Sequence, residues 1–226
     1  MFDYPKQAEL NRSLPKSKIY EFAKPTRAVR DRFARQIADI VWKFKLSPET
    51  INLPASHAIQ EIQIFAIALK SRELTAAALR PVLLTIDKAI PSPIFYQIKF
   101  QDRMKFTAAY KRPSDAEPAK SVIESGYFET PWQPVSADRT SLPPLPVALD
   151  LAGLYEQMLR RLIPVPSRPN ESLRDHVERV NLIQAKETEC RRLDARLRRE
   201  LQFNRKVEIN ALLRIRQTEL AQLLQA

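Results

Sequence analysis

Glycine, cysteine and histidine are all scarce in this sequence. It contains two glycines, one cysteine and two histidines among 226 residues. Phosphate-binding loops need several glycines to bring the backbone close to the ligand, so the composition excludes P-loop, dinucleotide-binding and kinase-type sites. A single cysteine and two histidines also exclude a disulfide framework and a multi-ligand zinc site. We therefore predict that the protein uses no cofactor and no metal.

Long apolar runs are absent as well. The sequence has no stretch of about eighteen consecutive apolar residues, and its first residues do not form the apolar segment of a signal peptide. Hydrophobic residues make up 44% of the chain and charged residues 28%, which is a typical balance for a globular protein. These features predict a cytoplasmic protein that does not bind membranes.

Charge and proline divide the chain unevenly. Lysine and arginine total 37 against 26 acidic residues, and the excess is concentrated in the first half. Residues 113–170 are slightly acidic, and seven prolines occur between residues 111 and 147. Because proline fixes φ and removes a backbone donor, we predict a connector over 113–147 with at most one short strand near 127–132. This connector separates a small α/β domain, residues 1–112, from a helical region, residues 148–226.

Hydrophobic periodicity predicts the elements of the first domain. Apolar residues at three- and four-residue spacing favour a helix, whereas Ile- and Phe-rich or alternating stretches favour strands. The pattern predicts, in order, a helix over 26–44, a strand over 59–69, a helix over 74–90 and a hairpin of strands over 94–100 and 104–110. The expected fold class is therefore α/β (α+β), a small mixed sheet with flanking helices.

The end of the sequence has the composition of a long helix. Asp150 is placed to cap a short helix that ends before the prolines at 164–169. From residue 170 onwards there is neither glycine nor proline, and Leu, Arg, Glu and Gln dominate. We predict one coiled-coil helix of about 50 residues, roughly 75 Å long at 1.5 Å per residue.

That helix carries an apolar seam, which is too long to remain in water and must be covered. Its residues are Ile183, Cys190, Leu193, Leu197, Leu201, Leu213, Leu220 and Leu223. The cover is a second copy of the chain, a helix of a partner protein, or the same helix folded back at a break near Asn204. A parallel homodimer would place Cys190 opposite its own copy. The arginines of the helix mostly have acidic residues three or four positions away, which favours a solvated face over a nucleic-acid surface.

One basic cluster lacks such acidic neighbours. Its members, which precede or begin the first predicted helix, are Lys16, Lys18, Lys24, Arg30 and Arg32. Unpaired lysines and arginines are the residues that neutralise phosphates, so this cluster is the best candidate for weak, sequence-independent nucleic-acid binding. The alternative is an ordinary solvated surface.

No catalytic residues are predicted. His57 has no acid or nucleophile at a useful spacing, and His176 flanks the apolar seam of the long helix. Glu61 and Gln63 form an acid-x-Gln variant of an acid-x-Lys nuclease motif at the start of a strand. Nucleases of that kind have several consecutive strands after the first helix, however, and the pattern here predicts one. We therefore interpret both residues as a polar strand edge.

Four segments, at residues 41–53, 61–65, 86–91 and 202–210, resemble a widespread bacterial and archaeal family of unknown function. Members of that family are often encoded beside helicase and DNA methyltransferase genes in restriction or phage-defence clusters. The resemblance implies a non-enzymatic accessory or scaffold subunit that acts with a helicase or methyltransferase partner. It transfers no site residues. The alternative hypothesis is a divergent metal-dependent nuclease subunit that uses Glu61 with an acid from elsewhere in the chain.

Overall fold

A computed structural model describes residues 1–71, 76–114, 117, 121–135 and 142–225. The chain forms two compact units, Met1–Leu162 and Ile163–Ala226. The first unit contains a mixed sheet with helices, and the second contains two helices. The predicted α/β (α+β) fold class, a mixed sheet with flanking helices followed by a C-terminal helical region, is confirmed.

The described residues of the first unit form a seven-stranded sheet. Its strands are β1 (Glu9–Ser13), β2 (Ile37–Leu46), β3 (Ile62–Leu69), β4 (Ile94–Phe100), β5 (Arg103–Pro113), β6 (Ser121–Glu129) and β7 (Gln133–Pro134). Strands β1 to β6 lie in sequence order, and β7 pairs with β5. The pair β3 and β4 is parallel, and the other pairs are antiparallel.

Five α-helices accompany this sheet in the described part of the first unit. They are α1 (Lys16–Ala23), α2 (Arg27–Gln36), α3 (Pro48–Ile51), α4 (Ala76–Ala89) and α5 (Leu151–Arg160), and a 3₁₀ turn spans Lys6–Ala8. Because β3 and β4 are parallel, the chain must cross over between them, and α4 makes that crossover. Asp150 caps α5 as predicted, since its carboxylate accepts a hydrogen bond from the Gly153 amide at 2.8 Å.

Apolar side chains cover both faces of the sheet. On one face, Phe65 and Ile67 of β3 pack in a buried cluster with residues of α2 and α4, including Phe33 and Val82. On the other face, the ring of Phe95 meets Tyr155 of α5 edge to face, with ring centroids 6.0 Å apart. The sheet is therefore the central layer of the first unit.

Residues 37–46 correct one prediction, because they form strand β2 rather than the second half of a helix. Helix α2 ends at Gln36, whose carbonyl accepts a hydrogen bond from the Lys70 amide at 2.8 Å. From Ile37 the chain pairs along β3 as far as Leu46. The β-branched and aromatic residues of this stretch suit a sheet as well as a helix, and pairing with buried β3 decides between them.

The predicted connector also contains more strand than expected. Strand β6 runs for nine residues beside β5, with Glu129 opposite Thr107 and Ser121 opposite Pro113. The stretch 121–130 contains no proline, so nothing prevents it from pairing along its full length. Residues 115–116, 118–120 and 136–141 of the connector lie outside the described residues, as do residues 74–75 of the predicted second helix.

The second unit contains two helices, α6 (Leu173–Arg199) and α7 (Phe203–Leu224), in place of the single helix of about 50 residues. The backbone of Glu200 is extended, and its carboxylate accepts hydrogen bonds from the amides of Leu201 and Gln202 at 2.9 and 3.0 Å. Two ion pairs join the helices, Lys186 with Glu219 and Glu189 with Arg216. The chain therefore folds back as a helical hairpin, which is the third of the arrangements that the sequence left open.

Candidate interaction surface

Lys16 of the predicted basic cluster lies at the carboxyl end of α2. Its ammonium group donates hydrogen bonds to the carbonyls of Ile37 and Phe33 at 2.7 and 3.2 Å. These contacts place a positive charge where the helix dipole is negative. Burial, followed by the nearby Lys70, lowers the pKa of Lys16. Its contacts are those of a helix cap.

Of the other members of the cluster, Lys18, Lys24 and Arg30 are exposed and Arg32 is half-buried. Lys18 lies 3.6 Å from Glu21 in the same helix, which corrects the expectation that it lacks an acidic neighbour, and the exposed Lys24 directly follows α1. The guanidinium of Arg30 lies over the Tyr20 ring, 5.5 Å from its centroid. That of Arg32 donates to the carbonyl of Ala78 in α4 at 3.3 Å. Each arginine is thus anchored to its own unit.

Glu61 lies just before β3, in a network of polar contacts. One carboxylate oxygen accepts hydrogen bonds from the Gln63 amide at 2.7 Å and the Ser92 hydroxyl at 2.9 Å, and the other lies 2.7 Å from the Lys45 ammonium. The Trp42 indole donates to the Gln63 amide oxygen at 2.7 Å. Both Glu61 oxygens therefore have partners from the protein, which is the environment of a structural carboxylate.

The number of strands after the first long helix differs from the predicted number, which was the argument against a nuclease fold. Two strands, β2 and β3, lie between α2 and α4, where the sequence predicted one. Within the described ranges, no group of three or more His, Cys, Asp or Glu side chains is placed to hold a metal ion. His176 is buried, with its Nε2 atom 2.8 Å from the Val165 carbonyl oxygen, and His57 is exposed.

The seam residues lie on the two helices of the hairpin. Ile183 of α6 and Leu213 of α7 are buried, whereas Leu201, in the turn, is 92% exposed. The remaining seam residues are half-buried: Cys190, Leu193, Leu197, Leu220 and Leu223. The hairpin thus brings the two halves of the seam together within one chain.

Folding back also changes which arginines are paired. Glu189 lies 2.8 Å from Arg216 of α7, and this contact takes it away from Arg192. Arg179 lies 2.6 Å from Glu171, eight residues before it. The sequence spacing had paired Glu189 with Arg192 and Arg179 with Asp175, so the charge balance along α6 is less local than the spacing indicated.

The end of the hairpin, formed by the last turns of α6, the connecting turn and the first residues of α7, is strongly basic. Residues 191–206, which we name the hairpin tip, contain seven basic and two acidic side chains. Within this described stretch the ion pair is Arg198 with Asp194, at 2.8 Å. Leu201 and Phe203 are 92% and 77% exposed beside these charges. The tip therefore presents cations together with an apolar side chain and an aromatic ring.

An apolar stripe continues from the tip along α7. Phe203, Val207, Ala211 and Ile215 follow one another at intervals of four residues, and all four are exposed. Residues four apart lie on one face of a helix, so these side chains form one continuous strip, the α7 stripe. The sequence contained this spacing, but without knowledge of the break near residue 200 it could not be separated from the buried seam.

The architecture defines an α/β protein with a helical hairpin. The chain belongs to the domain of unknown function family DUF4391, whose model matches residues 2–220. No curated protein and no solved structure matches the chain. In the part of the chain that the structure describes, no helix combines the length and the apolar character needed to cross a membrane.

Proposed function

We propose that the chain is a non-enzymatic accessory subunit that acts in the cytoplasm with a DNA helicase or methyltransferase-type partner, in restriction or phage defence. We further propose that its hairpin tip binds single-stranded nucleic acid. The genomic setting is what the resemblance of the four sequence segments implies. The observation that carries the binding proposal is the exposure of basic and aromatic side chains together at the tip.

The charges of the tip favour a phosphate backbone as its ligand. Arg192, Arg196, Arg199 and Arg205 are exposed and distributed on both sides of the turn. Neutralising phosphates with such side chains releases counterions, which is the main source of sequence-independent affinity. Glu200 opposes this charge locally, but its carboxylate is held by the amides of the turn.

Phe203 favours a single strand over a duplex. Its ring is 77% exposed at the start of α7, next to Arg205 and Lys206. Unpaired bases stack on exposed aromatic rings, and each stacking contact contributes about 1–3 kcal/mol. In a duplex the bases are already stacked, so the ring would add little.

The α7 stripe supports the proposed protein partner. An exposed apolar strip at helical spacing fits the groove of another protein. A homodimer through the seam has less support, because Ile183 and Leu213 are buried within the chain. Light scattering of the full-length chain, with mild oxidation of Cys190, distinguishes a homodimer from a hairpin that closes within one chain. A dimer that forms a Cys190 disulfide would contradict a hairpin that closes on itself.

Binding of a fluorescein-labelled single-stranded oligonucleotide, followed by anisotropy, tests the proposed site. Changing Arg192, Arg196, Arg199 and Arg205 to Gln should weaken binding at least about tenfold from a wild-type Kd on the order of 10⁻⁴ to 10⁻⁶ M. The matched control changes the same number of basic residues in the amino-terminal cluster: Lys18, Lys24, Arg30 and Arg32 to Gln. Loss of binding in the control alone would place the site at the cluster and overturn the tip proposal.

The nuclease alternative is supported by the presence of both β2 and β3 between α2 and α4. It requires Glu61 to exchange its contacts with Lys45, Gln63 and Ser92 for a metal ion. Incubation of the purified protein with plasmid and Mg²⁺ or Mn²⁺ tests it. We expect no cleavage. Metal-dependent cleavage that disappears in Glu61→Ala would overturn the non-enzymatic proposal.

A further inference from the structure

The stretch of residues 142–149, which leads into α5, combines three prolines with apolar side chains and carries no charge. Proline fixes φ at about −65° and restricts the residue before it to the extended region. Pro143, Pro144 and Pro146 therefore favour the polyproline II conformation, a helix with three residues per turn. We name residues 142–149 the proline segment.

The burial of the proline segment follows this threefold period. One ridge consists of half-buried residues three positions apart: Leu142, Leu145 and Ala148. The other two ridges are exposed except for half-buried Pro146, and they consist of Pro143, Pro146 and Leu149, and of Pro144 and Val147. Val147 and Leu149 are 92% and 93% exposed. The helix therefore turns one ridge inward and presents two apolar ridges to the solvent.

Hydrogen bonds near both ends hold the proline segment in place. The backbone amide of Asp3 donates to the Pro143 carbonyl at 2.9 Å. The side-chain amide of Gln157, in α5, donates to the Val147 carbonyl at 2.6 Å. The segment is thus ordered before a partner arrives, and a preorganised ligand loses less conformational entropy on binding.

The spacing Pro-x-x-Pro occurs at two other places in the sequence, and the structure uses both differently. Residues 131–134 end in β7, which pairs with β5. In residues 166–169 the Pro166 carbonyl accepts a hydrogen bond from Arg179 at 2.8 Å, and the residues between the two prolines are polar. Of these three described stretches, the proline segment is the one that joins the spacing to exposed aliphatic side chains.

We infer that the proline segment binds a groove lined by aromatic rings on another protein. Such grooves receive the ridges of a polyproline II helix, and Trp N–H and Tyr O–H groups donate to its carbonyl oxygens. The three prolines have no N–H, so the hydrogen-bond donors must come from the partner. Because the segment carries no charge, it offers nothing to a phosphate backbone. The inference does not depend on the hairpin tip or on the α7 stripe.

Isotope-labelled SH3 and WW domains, which have grooves of this kind, test the inference by nuclear magnetic resonance. We expect the unlabelled full-length protein to shift the groove amide signals of at least one of the two domains. Changing Pro143 and Pro146 together to Ala should weaken this binding at least about tenfold, because it removes two rings and their fixed φ. The matched control changes Pro166 and Pro169 to Ala, at the same spacing, and should bind as the wild type does.

Two equally exposed leucines give a second test that leaves the prolines intact. Leu149→Ser should weaken binding at least about fivefold, whereas Leu201→Ser, at 92% exposure in the turn of the hairpin, should not change it. Thermal unfolding of both variants should match that of the wild type, since neither side chain is buried. Absence of shifts in both domains, equal losses for the two leucine variants, or loss of binding in the Pro166 and Pro169 variant alone would overturn the inference.

Discussion

At the scale of single residues, Lys111 and Asp87 form the most deeply buried ion pair described. Their side chains are 2% and 3% exposed, and the Lys111 ammonium lies 3.2 Å from the Asp87 carboxylate and 2.7 Å from its carbonyl oxygen. Tyr127 donates a hydrogen bond to the same carboxylate. Burial raises the pKa of Asp87 and lowers that of Lys111, so each charge depends on the other. The pair ties the end of α4 to β5.

Removing one partner of this pair should destabilise the first unit strongly. We expect Asp87→Ala to lower the free energy of unfolding by about 3–5 kcal/mol, because it leaves the Lys111 charge buried without compensation. The double variant Asp87→Leu with Lys111→Met should recover most of that loss, since it buries no charge. Urea denaturation measures both. A double variant less stable than the single one would contradict this account.

A second pair predicts how acid affects the second unit. The side-chain hydrogen bond from Arg179 is the largest of the contacts that lower the pKa of Glu171 from 4.5 to about 2. Because the pKa is lower in the folded state, the stabilisation is complete above pH 4.5 and is lost as the pH falls towards 2. Glu171→Gln should therefore cost about 1–3 kcal/mol at neutral pH and less at pH near 3.

Chemical denaturation followed by far-ultraviolet circular dichroism, at both pH values, measures this difference. The control is Glu178→Gln, whose carboxylate pairs with Arg174 on the helix surface and is 56% exposed. Exposed pairs contribute at most about 1 kcal/mol, so the control should stay close to the wild type. If Glu171→Gln lowered the free energy of unfolding equally at both pH values, the negative charge of Glu171 would not be the source of the stabilisation.

At the scale of elements, regular patterns with clear ends were predictable and ambiguous ones were not. The β4–β5 hairpin has alternating strands and a two-residue turn, in which Gln101 adopts a positive φ of 51°, and the sequence placed it correctly. Residues 37–46 fit both a helix and a strand by spacing, and their long-range pairing with β3 settles the question. Local sequence contains no information on that pairing.

The break between α6 and α7 has a similar explanation. Residues 200–202 contain neither glycine nor proline, the residues that usually announce the end of a helix. The Glu200 side chain instead satisfies the freed amides of Leu201 and Gln202. The hairpin is further stabilised by contacts between residues about thirty positions apart, such as Lys186 with Glu219. A helix-by-helix interpretation of the sequence does not contain those contacts.

Two leucines of the seam distinguish the hairpin from a continuous helix. Leu213 is buried in α7, so Leu213→Ala should lower the free energy of unfolding by about 2–5 kcal/mol through loss of packing and a cavity. Leu201 is 92% exposed in the turn, so Leu201→Ala should change the free energy of unfolding by less than about 0.5 kcal/mol. Equal costs in thermal or urea unfolding would contradict the fold-back and favour an intermolecular seam.

At the scale of the whole molecule, the distribution of charge along the sequence does not say which basic side chains remain free of contacts in the fold. The chain has a net charge of +11, with the largest excess near its start, and this distribution pointed to the amino-terminal cluster. In the structure Lys16 caps a helix and Arg32 bonds to a carbonyl of α4. The fold-back meanwhile pairs Glu189 with Arg216 and exposes a basic tip. The difference arises because ion pairs between helices depend on tertiary structure, not on sequence spacing.

The salt dependence of binding to a single-stranded oligonucleotide tests the role of the hairpin tip most directly. For single strands, log K falls with log salt concentration by about 0.7 for each phosphate that the protein neutralises. Changing Arg192, Arg196, Arg199 and Arg205 to Gln should therefore make the slope shallower by about 2 to 3. A slope identical to that of the wild type would show that these arginines do not contact phosphate, and would contradict the proposal that the tip binds nucleic acid.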